Sequence, residues 1–435
     1  MSRPDPSGSA SLSLRQRLLL IRREEYSALL WSFFYFFFLL CSYYVLRPVR
    51  DEMGIQAGVG NLRWLFTAVF VVMLALTPVF GFLFSRFSRQ TLLPVIYLFF
   101  VSNLGVFWLV FESQLYLREA TIAFFIWVSV FNLFAVSVFW SFMADLWNTE
   151  EARRLYGFIA AGGTAGAIAG PALTALFSKR LGPINLLLIS MACLLVCVAC
   201  ISQLRGWAKQ QRDRNGSQNQ PTERPGILEG VRLAMSSPYL LGICAYVILY
   251  STTSTFLYIQ QAEIIDKSIH SSAERTALFA QMDLAVNMLT LLIQVLVLQP
   301  LLARLGLMVA LTVLPLLTLA GFLALGLHPA LPMLIAVVVL RRAAEFAIAK
   351  PSRETLFNVL GPVEKYQAKN FMDTVVYRGG DTASSWLLAW LKSLGFGIVG
   401  VSLLAVPLSA LWAVIGATLG RSHGRLVDGA PEKKP

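Results

Sequence analysis

Charged residues are scarce in this chain, and so are the side chains that most often carry out catalysis. Asp, Glu, Lys and Arg make up 14% of its 435 residues, whereas soluble domains carry about 25%. The three histidines (His270, His328 and His423) are far apart, and we find no catalytic triad, no set of metal ligands and no Walker loop. These absences argue against an enzyme, against a metal or other cofactor, and against ATP hydrolysis as an energy source.

Cysteines are also few, and their placement argues against redox or metal chemistry. All five lie in apolar segments: Cys41, Cys193, Cys197, Cys200 and Cys244. The three between 193 and 200 would line one face of a helix. This pattern is typical of small packing residues rather than of a disulfide framework or a metal site.

Apolar residues dominate the composition, at 57% of the chain with a mean hydropathy of +0.65. Long apolar runs recur, and the short alternating strands of a β-barrel do not appear, so we predict an all-α polytopic membrane protein whose partner is the lipid bilayer. The net charge of +12 lies mostly in short loops. The positive-inside rule explains it without nucleic-acid binding.

A helix needs about 20 apolar residues to cross the hydrocarbon core, and on this criterion we count twelve spans. They are approximately 26–46, 64–85, 91–111, 120–145, 156–178, 184–203, 238–260, 275–300, 306–326, 331–350, 369–393 and 395–419.

The basic loops all fall on one side of this twelve-span arrangement, which predicts an inner-membrane protein with both termini in the cytosol. The predicted organisation is an N-terminal tail, a six-helix half, a polar cytosolic linker, a second six-helix half and a C-terminal tail. The corresponding ranges are 1–25, 26–203, 204–236, 237–419 and 420–435.

The two halves resemble each other after their fourth helices. Leu146-Trp147-Asn148 in the first half matches Leu356-Phe357-Asn358 in the second, about 210 residues later. Two related six-helix halves joined by a cytosolic loop resemble the major facilitator architecture, which implies a binding site between the halves near the membrane midplane. Unrelated twelve-span packing with a chance similarity is the alternative. We expect a monomer.

A charged run closes the first span. Tyr43, Tyr44, Arg47, Arg50 and Asp51 follow one another around Pro48, and a continued helix would bring Tyr43, Arg47 and Arg50 to one face. The run is either a solvated helix end or a functional site. Because we place it near the outer end of the span, we predict a cluster that admits or gates the solute, with Arg341, Arg342 and Arg378 nearer the central cavity.

Ionisable residues inside spans are costly, so they are candidates for function. Arg341, Arg342 and Glu345 lie in the tenth span, and the first and last of them are spaced to pair. The side chains of two adjacent arginines point about 100° apart, so only one of them can face squarely inward. A surplus of arginine suits an anion, because guanidinium grips phosphate or carboxylate in a fork.

Two further spans carry charge. Asp373, Arg378 and Asp381 in the eleventh span either contact substrate or form an interhelical ion-pair brace that holds a gate shut. Asp283 in the eighth span is a candidate coupling carboxylate, or belongs to a watery mouth of that helix. Glu345 and Asp51 complete the predicted set of gating or coupling carboxylates.

Aromatic and small residues supply the remaining candidates. Tyr43, Tyr44 and Trp140 can both stack and hydrogen-bond, so they are candidates to contact substrate. Gly162, Gly166 and Gly170 repeat every four residues, which predicts close helix packing. The stretch 166–171 also resembles the start of an antiporter motif of the major facilitator superfamily, although Thr174-Ala175 replace its closing Gly-Gly.

A second resemblance is more specific. The run 43–51, the stretch Glu151–Gly157 and the stretch Lys365–Asp381 resemble motifs of the nucleotide transporter (ATP/ADP translocase) family of obligate intracellular bacteria and plastids. The resemblance implies nucleotide exchange or import, with Arg47, Arg50 and Asp51 as functional residues. The family often has lysine where this chain has Arg50, and again near Asp381. The chain looks more like divergent relatives from free-living bacteria.

Together these observations predict a secondary transporter that works by alternating access on a small organic anion, with nucleotide-type exchange as the finer hypothesis. Two alternatives remain open: a proton-coupled facilitator for a siderophore, peptide or drug-like solute, and a lipid translocase. A membrane enzyme ranks last, because no acid, base or metal set is clustered.

Overall fold

A computed structural model describes residues 25–86, 89–215 and 237–428, and within these ranges the chain is almost entirely helical, with no β-strand. The helices are α1 (Tyr26–Gln56), α2 (Leu62–Arg86), α3 (Arg89–Glu112), α4 (Leu117–Leu146), α5 (Thr149–Asn215), α6 (Pro238–Ser268), α7 (Ser272–Ile293), α8 (Gln299–Leu327), α9 (Leu331–Ala344), α10 (Lys350–Thr355), α11 (Pro362–Phe371), α12 (Tyr377–Ser393) and α13 (Ile398–Asp428). Three π-helical turns (Gln294–Leu298, Glu345–Ala349 and Met372–Val376) join neighbouring helices.

The prediction of an all-α polytopic membrane protein is confirmed. Eight helical stretches in the described ranges are long and apolar enough to cross a membrane. The count of twelve spans stays a prediction, because several predicted spans are merged into one helical stretch or divided into shorter helices. Non-helical glycines divide α5 at Gly182 and α8 at Gly306, and π-helical turns break the tenth and eleventh predicted spans into shorter helices.

The two dividing glycines owe their place to backbone conformation. Their φ angles are +79° at Gly182 and +74° at Gly306, in the region that side chains with a Cβ disfavour. No atom lies within 4 Å of where a Cβ would stand. Glycine is therefore needed at these positions for its dihedral freedom and not for space.

The first helix is longer than the sequence predicted. It continues ten residues beyond Leu46, through Pro48, to Gln56. Since the whole helix packs against other helices, the charged run lies inside the bundle, and the reading of this run as a solvated helix end is wrong. Asp51 and Glu52 are buried.

The predicted tails and linker fall largely outside the described residues. The structure begins at Glu25, helix α5 continues to Asn215 into the first part of the predicted linker, and α13 continues to Asp428 into the predicted C-terminal tail. The boundaries of the two halves therefore stay a prediction. Below, α1–α5 are called the N-terminal group and α6–α13 the C-terminal group.

One large buried apolar cluster extends through both groups, from Tyr35 and Phe139 to Phe256 and Phe322, and a smaller one lies within the C-terminal group. In the N-terminal group, Tyr35 is fully buried and its hydroxyl donates to the Tyr97 hydroxyl at 2.7 Å. In the C-terminal group, the buried Tyr246 donates to the Leu311 carbonyl at 2.9 Å. The hydroxyls of these two buried tyrosines are thus satisfied within one group, whereas the charged side chains described below meet between the groups.

Candidate functional site

One buried carboxylate joins the two helix groups. Asp283 on α7 lies 2.8 Å from Nη1 of Arg342 on α9, and 3.6 Å from Nε of Arg47 on α1. The Asp283 side chain is 2% exposed, whereas Arg47 and Arg342 are 18% and 15% exposed. Two guanidinium groups thus share one carboxylate, and both reach partly accessible space. Because Asp283 is buried, the alternative that it lies at a water-filled mouth of its helix is wrong.

The cluster of Arg47, Asp283 and Arg342, called the arginine pair site below, has unused hydrogen-bonding capacity. Oδ2 of Asp283 and Nη2 of Arg342 are buried and have no hydrogen-bond partner among the described residues. Buried polar atoms are normally paired, so an unpaired one at a charged cluster indicates a place for a ligand atom. With two positive charges against one negative, the cluster favours an anion.

A second ionic contact lies one turn further along α1. Arg50 donates from Nε and Nη2 to Oδ1 of Asp51, at 3.1 and 2.7 Å. The same oxygen accepts the hydroxyl of Tyr258 on α6 at 3.0 Å, and the guanidinium lies over the ring of Phe125. Arg50 and Asp51 are thus engaged with each other, and Asp51 connects α1 to the C-terminal group.

A third contact follows immediately, and sequence reasoning missed it. Glu52 is fully buried and accepts from Arg275 on α7 through two bonds, of 2.6 and 2.8 Å. Arg275 also contacts Asp266 at 3.2 Å. Glu52 directly follows Asp51 in the sequence but was not proposed as a site residue. Arg275 is the first residue of a predicted span, and a charge at the end of a span is expected without any function.

The two adjacent arginines of α9 diverge, as their helical spacing requires. Arg342 turns to Asp283, whereas Arg341 turns into the C-terminal group and is 2% exposed. The Arg341 guanidinium donates to hydroxyls of Thr318 at 3.1 Å and Ser254 at 2.7 Å, and to that of Thr253 at 3.3 Å. The structure therefore places Arg341 as a brace between helices of one group rather than in a cavity between groups.

The predicted pair between Arg341 and Glu345 is not formed in this structure. Glu345 begins a π-helical turn and accepts a short hydrogen bond from the Tyr250 hydroxyl, whereas Arg341 donates to the hydroxyls of Thr318 and Ser254. The rings of Tyr250 and Tyr377 stack at 5.8 Å. Glu345, Lys350 and Arg353 line a small cavity beside Tyr250.

The eleventh predicted span holds a different arrangement from the expected brace. Arg378 and Asp381 lie 3.8 Å apart on the same helix, α12, so their pair joins no helices. Asp373 is exposed on a π-helical turn. Asp381 instead reaches α6, where it accepts from Ser251 at 2.6 Å and Thr255 at 3.2 Å.

The aromatic candidates separate by position. Tyr43 and Tyr44 lie beside the arginine pair site, with ring centroids 5.2 Å apart and Arg47 over the ring of Tyr44. Trp140 packs against Phe36 and Tyr156 within the N-terminal group, at centroid distances of 5.4 and 5.3 Å. Of these three aromatic candidates, only Tyr43 and Tyr44 lie beside the arginine pair site.

The glycine row of α5 lies against α1. A Cβ at Gly162 would stand 2.5 Å from the Phe33 carbonyl oxygen, one at Gly166 2.1 Å from that of Phe37, and one at Gly170 2.7 Å from that of Cys41. Gly162, Gly166 and Gly170 therefore let α1, the helix that carries Arg47, approach α5 closely. Both helices belong to the N-terminal group.

Further contacts join the groups where α1 ends, a region called the far end below. Gln56 donates to Ser272 at 3.0 Å. On α12, the Trp386 indole donates to Thr67 at 3.0 Å and meets the Trp64 ring edge-on at 4.7 Å. The two groups are therefore joined from the arginine pair site to the far end.

Comparison with known proteins bears on the fold and the family. The family model described as Major Facilitator Superfamily matches residues 26–352. No curated protein matches the chain.

Several solved structures share the fold. The nucleoside transporter NupG has a TM-score of 0.64 at 13% identity, with 93% of this chain and 100% of that chain covered. An auto-inhibited POT family peptide transporter has a TM-score of 0.62 at 14% identity, covering 94% and 99%. A bacterial homologue of the human lysosomal transporter Spinster, inward-facing and unoccupied, has a TM-score of 0.56 at 13% identity, covering 95% and 100%.

Proposed function

Because this chain belongs to the major facilitator superfamily, we propose that it transports a small organic anion across the membrane by alternating access. The supporting observation is the arginine pair site, in which Arg47 of one helix group and Arg342 of the other share the single carboxylate of Asp283. A site that draws one cation from each group can couple binding to the relative movement of the groups.

The charge balance sets the class of ligand. Arg47 and Arg342 carry two positive charges against one negative charge on Asp283, and Nη2 of Arg342 has no partner within the described residues. A phosphate or carboxylate can accept from both guanidinium groups in the way that Asp283 now does. The ligand then competes with Asp283, which offsets only one of the two positive charges when no solute is bound.

The neighbouring rings support nucleotide-type exchange as the finer proposal. Tyr43 and Tyr44 lie next to Arg47, so a solute with an anionic group and a flat ring system could meet cations and aromatic faces together. The similar folds of a nucleoside transporter and a peptide transporter do not select between these solutes. Their sequence identities to this chain are too low to indicate which substrate it transports.

We further propose that the far end closes the site on one side. The buried pair of Glu52 and Arg275, the contact of Asp51 with Tyr258 and the ring contact of Trp64 with Trp386 all cross between the groups there. Alternating access requires these contacts to break when the solute passes. By the positive-inside rule we assign this end to the outside of an inner membrane, with both termini in the cytosol.

A proteoliposome screen tests the proposal. Purified protein would be reconstituted with unlabelled nucleotides or organic anions inside, and uptake of labelled nucleotides, organic anions, peptides and lipids measured with and without a pH gradient. The proposal predicts uptake of an anion, accelerated by internal anion if the mode is exchange. Uptake of neutral or cationic solutes alone, or lipid movement without anion uptake, would contradict it.

A further inference from the structure

Helix α6 contains an unusual run of hydroxyl side chains. Ser251, Thr252, Thr253, Ser254 and Thr255 follow one another inside an apolar helix. Thr252 and Thr253 donate to carbonyls of their own helix, both at 2.9 Å, which is how such residues normally satisfy their hydroxyls in helices. Ser251 and Thr255 do not follow this pattern, and both are almost inaccessible, at 0% and 2% exposed.

These two hydroxyls converge on Asp381 of α12. Ser251 and Thr255 approach the same carboxylate oxygen, Oδ1, at 2.6 and 3.2 Å. Oγ of Ser251 also lies 3.2 Å from the Tyr377 carbonyl oxygen. A Cβ at Gly380 would stand 3.0 Å from this Oγ, so glycine at this position permits the close approach. One carboxylate, two hydroxyl and one carbonyl oxygen are therefore gathered between two helices.

A π-helical turn adjoins this group of oxygen atoms. The π-helical turn Met372–Val376 ends directly before Tyr377, whose carbonyl joins the oxygen group. Such turns inside helices are frequent at functional sites. Transporters commonly coordinate their coupling ions with carbonyls from interrupted helices.

We propose that Asp381, Ser251, Thr255 and the Tyr377 carbonyl form a binding site for a sodium ion. Hard cations take oxygen ligands of these kinds, and a single carboxylate suits a single positive charge. A proton would use one carboxylate oxygen and would have no need of the surrounding hydroxyls. Binding of sodium at this site does not depend on the transport proposal, whereas its coupling to solute does.

Arg378 is the cation next to the proposed sodium site. Its Nη1 lies 3.8 Å from Oδ2 of Asp381, beyond hydrogen-bonding distance, and its side chain is 28% exposed. An anionic solute that draws Arg378 away leaves Asp381 without its neutralising charge, which favours sodium. By linkage, sodium then favours the anion by the same factor.

Thermal unfolding of the purified protein without solute tests the site directly. The melting temperature would be followed against NaCl, with choline chloride keeping ionic strength constant and KCl as the comparison cation. Wild type should show a saturable, sodium-specific rise of several degrees, because a ligand that binds only the folded state stabilises it. Asp381→Asn should remove the rise. Glu263→Gln, which changes a carboxylate on α6 that pairs with Lys267 and Lys392, should retain it.

Ser251→Ala and Thr255→Val keep the charge of Asp381 and remove one ligand oxygen each. Both variants should raise, at least tenfold, the sodium concentration that gives half of the maximal rise in melting temperature. They test the sodium site if Asp381→Asn does not fold. No sodium-specific shift in wild type, an equal shift in Asp381→Asn, or a shift that follows pH and not sodium would overturn the proposal. Anion uptake without sodium binding would refute only this site, and sodium binding without anion uptake would refute only the proposed function.

Discussion

At the scale of single residues, burial separates side chains that the sequence could not tell apart. Arg341 and Arg342 are adjacent and identical in chemistry, yet Arg341 is 2% exposed with three hydroxyl partners. Arg342 instead pairs with Asp283, the carboxylate that Arg47 of the other helix group also contacts. The sequence could predict that the two would diverge. It could not show which one faces inward, because that depends on how α9 is rotated against α7 and α8.

The first prediction concerns Arg341. Because its three hydrogen bonds stay inside the C-terminal group, Arg341→Gln should destabilise the protein by at least about 2 kcal/mol, since bonds to a charged group contribute about 1.5–3 kcal/mol. Thermal unfolding of the purified variant measures this effect. An unchanged melting temperature with abolished uptake would place Arg341 back in the solute site.

The second prediction concerns Glu52. Removing one partner of a buried ion pair costs about 3–5 kcal/mol because the other charge stays buried, so Glu52→Gln should markedly lower the melting temperature. Asp266→Asn is the matched control, since Asp266 contacts the same arginine but is 48% exposed, and exposed pairs contribute about 0–1 kcal/mol. Equal effects of the two changes would show that burial of Glu52 is not what matters.

At the scale of helices, the sequence predicted where apolar segments lie but not how they end. The first helix was expected to stop at Leu46, since four charges and Pro48 follow closely, yet it runs to Gln56. The charges find partners on α6 and α7, and those contacts are visible only once the chain is folded. The π-helical turns likewise leave no clear mark in hydropathy. The predicted pair of Arg341 and Glu345 does not form because Arg341 donates to hydroxyls on α6 and α8, and Glu345 accepts from Tyr250.

The third prediction concerns the glycine row of α5. Gly166→Ala would place a Cβ 2.1 Å from the Phe37 carbonyl oxygen, so α1 must shift, at a cost of about 1–3 kcal/mol. Gly157→Ala is the control on the same helix, because nothing lies within 4 Å of its Cβ position. That change should stabilise the helix by about 0.5–1 kcal/mol. Opposite signs in thermal unfolding support the close α1–α5 contact, and equal signs contradict it.

At the scale of the whole molecule, composition and long apolar runs predicted the fold class, and the family match agrees with the predicted major facilitator architecture. The site was predicted only in part. Arg47, Arg342 and Asp283 were each singled out from three different spans, but the sequence assigned Arg47 to an outer cluster and Arg342 to a central one. Their meeting at a single carboxylate depends on the packing of α1, α7 and α9.

The fourth prediction tests closure at the far end. Cysteines placed at Gln56 and Ser272, whose Nε2 and Oγ atoms are 3.0 Å apart across the groups, should be joined by a short, reducible thiol-specific crosslinker, which should stop transport until it is reduced. The native cysteines are buried and should not interfere. Cysteines at Glu263 and Lys267, one turn apart on one helix, are the control, and the same reagent should join them without stopping transport. Full transport by the crosslinked Gln56–Ser272 variant would show that this end need not open.

The central claim is that Arg47 and Arg342 together bind an anionic solute. The most direct measurement is the KM for uptake of that solute in proteoliposomes by wild type, Arg47→Gln and Arg342→Gln. Lys267→Gln serves as a charge-matched control, since Lys267 is 66% exposed and pairs within its own helix. Loss of a charge-assisted bond of about 1.5–3 kcal/mol predicts a KM raised about 10- to 100-fold in both arginine variants, with Lys267→Gln unchanged. A KM equal to that of wild type in either arginine variant would contradict the account.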